Sequence, residues 1–163
     1  MQKRGCGRVT LAAGLQSDAR RCAAAVYRTT DTANIANATM TAVLFDNEEE
    51  DTDAFHDNSS NTSQLTVPVS GWYVVTCQVG WDSNATGPRG LFIIKNGTDT
   101  GANRIASEFR TAAGSDAQCV AGEGVLTAGE YVEAYVYQGS GANRVLVTST
   151  RARFAIHLHQ LFT

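Results

Sequence analysis

Apolar residues recur at every second position through the middle of the chain. In TSQLTVPVSGWYVVTCQVG (62–80), Leu65 and Val67 alternate with Gln64 and Thr66 before Pro68 and Gly71 interrupt the run. Tyr73, Val75, Cys77 and Val79 then share one face, and Trp72, Val74, Thr76 and Gln78 share the other. A period of two marks strands and a Pro/Gly cluster marks a turn, so this stretch predicts two strands joined at a tight corner. The Tyr73 face reads as core. The Trp72 face is mixed and suits coverage by a partner sheet or another subunit.

The same pattern extends in both directions. CAAAVYR (22–28) reads as a small-residue strand, and 39–45 as a strand with Met40, Ala42 and Leu44 opposite Thr41, Val43 and Phe45. DNEEEDTD (46–53) carries six charges with no apolar anchor and is expected as a solvated acidic loop, with Phe55 covering the core after it. RGLFIIKNG (89–97) is a strand ending in an Asn-Gly hairpin signal, followed by strands near 103–110 and, broken by glycines, over 117–130. In EYVEAYVYQG, Val132, Ala134 and Val136 form the expected core face. Tyr131, Glu133, Tyr135 and Tyr137 form a face that meets a partner or solvent. Two further strands close the chain over 140–162, the last with Phe154, Ile156 and Leu158 opposite Arg153, Ala155, His157 and His159. GANR occurs at 101–104 and 141–144, which reads as two similar turns rather than a duplication. Eight to ten short strands with closely spaced turns and no helical pattern predict an all-β antiparallel sandwich or barrel.

Length and charge narrow the picture. The 163 residues suit one domain with a full core. Residues 1–28 hold six basic side chains and one acid, and the remainder holds seven basic and fifteen acidic ones. We therefore divide the chain into a basic N-terminal arm or linker (1–21) and a folded body (22–163). The acidic body disfavours nucleic acid as its partner, because phosphate selects a positive footprint. No stretch is long and apolar enough for a membrane span, and the run VTLAAGL, broken by Gly14, falls short of a secretory signal. Cys6, Cys22, Cys77 and Cys119 lack metal-ligand spacing. Cys77 and Cys119 sit in strand-like apolar surroundings and read as buried thiols. A Cys6–Cys22 disulfide is one of three pairings the sequence allows.

Candidate chemistry is sparse. His56, His157 and His159, with Asp57 or Glu133, lack any nucleophile or metalloprotease motif. His157 and His159 lie two apart on one strand face, but the sequence supplies no third metal ligand. Asp46, Glu48, Glu49, Glu50, Asp51 and Asp53 offer oxygens for Ca²⁺ without the spacing of an EF-hand, and no cofactor is expected. Asn37, Asn58, Asn61, Asn84 and Asn96 each begin an N-x-Ser/Thr triplet, which reads as Asn/Thr-rich loop.

Taken in order, AVLFDN (42–47), Phe55, LTVPVSGWYVVTCQV (65–79), FIIKNG (92–97), LTAGEYVEAYVY (126–137) and FAIHLHQLF (154–162) resemble the C1q-like domains, which are related to tumour necrosis factor. The resemblance covers about three quarters of the chain and implies a jelly roll of about ten strands. WDSNATGPRGLFIIKNG (81–97) is most similar to modules of bacterial and bacteriophage proteins, including virion fibres and appendages. Before the body there is no collagen-like Gly-x-y segment. The resemblance implies a homotrimer that presents loops and is not an enzyme. On this expectation the chain is a structural or adhesive module of a virion or appendage. The alternative is a secreted recognition protein that binds a cell-surface glycan or protein. Asp46, Glu48, Glu49, Glu50, Asp51, Asp53, Asn58 and Asn61 are the candidate ligand-contacting residues. Trp72, Tyr73, Tyr131, Tyr135, Tyr137, His157 and His159 are the candidate subunit contacts. Residues 1–21 are a candidate attachment to other virion or appendage proteins, and the expected location is the virion or the extracellular space.

Overall fold

A computed structural model describes residues 22–114, 117–150 and 152–162. The expected arm at 1–21 lies outside the described residues, as does Cys6. Every regular element among the described residues is a strand: β1 (Ala23–Tyr27), β2 (Thr32–Ile35), β3 (Thr41–Ala42), β4 (Asn47–Asp51), β5 (Gln64–Thr66), β6 (Gly71–Gly80), β7 (Pro88–Lys95), β8 (Arg104–Thr111), β9 (Ala117–Leu126), β10 (Tyr131–Gln138), β11 (Arg144–Leu146) and β12 (Arg153–Leu161).

Alternation along β6 does what its sequence dictates. Tyr73, Val75, Cys77 and Val79 are buried, while Trp72, Val74, Thr76 and Gln78 keep partial exposure on the reverse side. β10 turns Val132, Ala134 and Val136 into the same core. One antiparallel sheet has the order β4-β1-β12-β6-β9 and a second the order β3-β10-β7-β8, with β5 also on β10; β2 and β11 form a small third ladder. The core fills the space between the two large sheets. Phe45 stacks on Phe154 with ring centroids 5.6 Å apart, and Phe55 meets Tyr73 edge-on at 6.3 Å. Burying each such apolar side chain contributes about 1.5–3 kcal/mol, so the alternating face is what fixes the register.

Four local expectations need correction. The acidic segment is not a free loop, because Asn47–Asp51 is the edge strand β4 paired with β1, with a bulge between Ala25 and Val26. An edge strand leaves one side to water, which accommodates carboxylates and discourages pairing with further chains. The strand expected over 39–45 shrinks to β3, although Val43 and Phe45 are buried and Leu44 is exposed as the alternation requires. Asn96 and Gly97 do adopt positive φ (55° and 75°), but the connection from β7 to β8 runs to Asn103, whose carbonyl receives the Lys95 N–H. Cys119 is exposed, since its inward-pointing neighbours on β9 are Gln118 and Val120. Cys77 is buried as expected, and that burial pushes its thiol up. Cys22 is disulfide-bonded. Both GANR segments place glycine at positive φ just before a strand, in two different sheets, as similar turns would.

Candidate binding cleft and assembly face

The segment between β4 and β5 is pinned from below. Asp51 accepts the backbone N–H groups of Asp53 (3.2 Å), Phe55 (3.0 Å) and His56 (3.2 Å). That turn drives Phe55 into the core and buries the His56 ring beside it. His56 Nε2 lies 3.2 Å from the Thr62 carbonyl, which can only accept, so Nε2 carries a proton. His56 Nδ1 lies 3.3 Å from Glu48 Oε1, and Asn58 Nδ2 donates to the same oxygen at 3.0 Å. Asp57 accepts from the hydroxyls and N–H groups of Ser59 and Ser60. These bonds, led by the Ser59 hydroxyl, hold its carboxyl well below the usual range. Above this framework lies an open cleft of about 530 Å³, lined by Glu48, Asp57, Asn58 and Asn61 on one side and by Gln64 and Thr66 of β5 on the other.

Of the candidate ligand residues, the structure brings Glu48, Asn58 and Asn61 to this cleft. The other acids are spent elsewhere. Asp46 accepts from Thr29 N (2.8 Å) and Oγ1 (3.1 Å), Glu49 pairs with Arg153 Nε at 2.8 Å, and Asp53 accepts the Thr52 hydroxyl at 2.7 Å. Glu50 lies on β4 opposite Ala25. Among the described residues no three His, Cys, Asp or Glu side chains are grouped to hold a metal. Gln64 and Thr66 are not among the candidate ligand residues. Their signal was present, since they alternate with buried Leu65, but nothing in the sequence says that the acidic strand lies beside them.

The candidate subunit contacts fall on three surfaces. Tyr73 is wholly inside, its hydroxyl bonded to the Val69 carbonyl at 2.8 Å. Trp72 and His157 lie on the outer face of the β4-β1-β12-β6-β9 sheet. There Ala25, Ala155, Thr76 and Ala121 form one row of small side chains across four strands, and Ala23, His157, Val74 and Glu123 form the next. Val125, opposite Trp72, is also exposed. His159 is exposed too, but the register shifts between Leu158 and Gln160, so the strict alternation with His157 is broken by a bulge.

The three tyrosines lie on β10 of the other sheet, facing away from the core. The Tyr135 hydroxyl lies 3.0 Å from the Gly97 carbonyl and 3.1 Å from Glu133 Oε2, so its single proton is placed between two acceptors. Burial first, and the Glu133 carboxylate second, push its hydroxyl up to about 12. Glu133, expected at a partner or in solvent, is buried and takes the Ser63 hydroxyl at 2.5 Å. Around them Phe109 is 60% exposed and packs on Tyr137 at 5.7 Å between ring centroids.

No protein-family model matches the sequence, and no curated protein matches it. Solved structures do match. Murine APRIL at pH 5.0 superposes with a TM-score of 0.63 and 12% identity, covering 85% of this chain and 99% of its own. The globular domain of zebrafish complement 1qA superposes with a TM-score of 0.56 and 19% identity, covering 86% of this chain and 98% of its own. The fold is a C1q/TNF-like jelly roll. In this jelly roll the cleft lies at the end where β6 begins, beside β5 and the connection that enters it.

Proposed function

We propose that the chain is a non-enzymatic recognition or structural module that assembles as a homotrimer and presents its loops to a ligand. The observation that carries this reading is the outer face of the β4-β1-β12-β6-β9 sheet, with its row Ala25–Ala155–Thr76–Ala121 flanked by Trp72, Val74 and Val125. Small side chains let a second backbone approach closely, and Ala121 and Val125 at the β9 edge of this face are exposed. A cyclic trimer is built from heterologous contacts, so each subunit uses two different patches. Trp72, His157 and His159 on one sheet and Tyr131, Tyr135 and Tyr137 on the other supply two such patches. The number three comes from the resemblance to C1q-like domains.

Size-exclusion chromatography with light scattering tests it. A trimer mass is expected for the wild type, and Thr76→Glu is expected to yield folded monomer because it places charges in the small-residue row. A monomeric wild type overturns the assembly. The open cleft supports ligand contact through residues 46–61, and the resemblance of 81–97 to bacteriophage modules supports a virion or appendage component. On this reading residues 1–21 join it to other proteins of the particle. Antibody labelling of purified particles tests that placement. Abundant free protein in culture medium with none on particles would favour the secreted recognition protein instead.

A further inference from the structure

We infer that the cleft between Glu48 and β5 binds a neutral saccharide. This rests on the proposed ligand contact through residues 46–61 and narrows it to one chemistry. The side chains of Asn61, Gln64 and Thr66 line the cleft, and no hydrogen bond or ion pair within the described chain engages them. Glu48 is held at Oε1 by His56 and Asn58, which leaves its Oε2 without a partner among the described residues. Each free amide offers two donors and an acceptor, the threonine hydroxyl offers both, and the carboxylate oxygen only accepts.

A ligand that complements this set must donate and accept at several neighbouring points. Sugar hydroxyls do both. A lysine or arginine side chain only donates, and it would strand the amide N–H groups of Asn61 and Gln64. An acidic sugar or a phosphate would meet Glu48 and Asp57 with no lysine or arginine on the cleft wall to balance it. The cleft volume of about 530 Å³ lies within the range of small-molecule sites. The turn beneath it is fixed by Asp51, so little ordering is needed on binding. Phe55 reaches the cleft wall but is only 2% exposed, too little for a stacking plate. Recognition then rests on hydrogen bonds alone, which gives millimolar affinity per cleft and makes several clefts on one assembly valuable.

An amide-resolved NMR titration tests this on the full chain with three probes: neutral mono- and disaccharides (glucose, galactose, mannose, N-acetylglucosamine, lactose), glucuronic acid, and a short oligolysine peptide. The expected result is a saturable shift of the Asn58, Asn61 and Gln64 side-chain amides by at least one neutral sugar, and none by glucuronic acid. Gln64→Ala is expected to weaken that binding about tenfold while the rest of the spectrum is unchanged. Oligolysine shifting these amides while the sugars do not would overturn the saccharide and leave the ligand-contact reading standing. No probe moving any cleft residue would overturn both. A sugar response that survives Gln64→Ala unchanged would overturn the site.

Discussion

The two ends of the sandwich treat polar side chains in opposite ways. Where β6 ends, they are consumed. Arg89 is fully buried, donates to the carbonyls of Thr86 and Pro88 at 3.0 Å each, bonds Asn84 Oδ1 at 3.1 Å, and places its guanidinium 5.3 Å from the Trp81 ring centroid. Trp81 in turn donates to Gln118 Oε1 at 2.8 Å. Gln138, also fully buried, donates to the carbonyls of Ile35 and Ala142 and accepts from the N–H and hydroxyl of Ser140. All four of its bonding positions are used. Where β6 begins, the Gln64, Asn61 and Thr66 side chains and one oxygen of Glu48 are left over. A closed network ties loops together, whereas open valences on a pinned turn are available to something else. One end is built for architecture and the other for contact.

The largest effect is expected at the closed end. Arg89→Met keeps the volume but takes the guanidinium donor from the Thr86 and Asn84 carbonyls and leaves the Pro88 carbonyl with the Gly139 N–H alone, and about 3 kcal/mol of stability should go with it, read from chemical denaturation. A loss below about 0.5 kcal/mol would show that the network is dispensable and the contrast false. At the other end His56→Leu should cost about 1 kcal/mol, because the Thr62 carbonyl keeps the Phe45 N–H but loses its second partner, and Glu48 Oε1 loses the ring beside it. Crystallography or NMR of this variant should show the Glu48 carboxylate moved from its position beside Asn58. Gln64→Ala should leave stability within about 0.5 kcal/mol of wild type, since no side chain or backbone group among the described residues bonds that amide.

The smallest effect is a local one with pH. Asp57 has a folded-state value below its unfolded one, so the Ser59–Ser60 turn it caps is fully supported above the ordinary carboxylate value of about 3.9. The support is lost only as pH falls below that point. The Ser59 and Ser60 amide shifts should therefore stay constant from neutral pH to about pH 4 and move only in stronger acid. Movement centred at or above pH 4 would mean that the turn is open at this end.

How much was legible depends on whether water or a neighbour decided the outcome. β6 and β10 could be read because a period-two pattern with one buried face has a single solution. β4 could not, because NEEED contains no apolar residue; it is a strand only because β1 presents an unpaired edge to it. Buried Arg89, Gln118 and Gln138 were equally hidden. Charged and amide side chains are mostly exposed, and only the loops folded around these three provide the partners that make burial tolerable. The bulge at His159 left no trace in the pattern either, which is why His157 and His159 read as a regular pair.

The cleft falls between these cases. Glu48, Asn58 and Asn61 stood out as polar residues in one stretch of sequence, and that stretch does form one wall. Five other acidic candidates share the stretch, and partners, not identities, remove them from consideration: Arg153 for Glu49, Thr29 for Asp46, three backbone N–H groups for Asp51.

By itself the sequence determined which residues face inward along the long strands, where the chain turns, and hence an all-β antiparallel sandwich or barrel, because these follow from burial and local backbone preference. Only the tertiary structure decided which polar groups are spent and which remain open, and which small residues line up across strands that lie far apart in the chain. Both depend on neighbours from distant segments, such as Ala25 beside Ala155 or Thr62 above His56, and no local pattern encodes them.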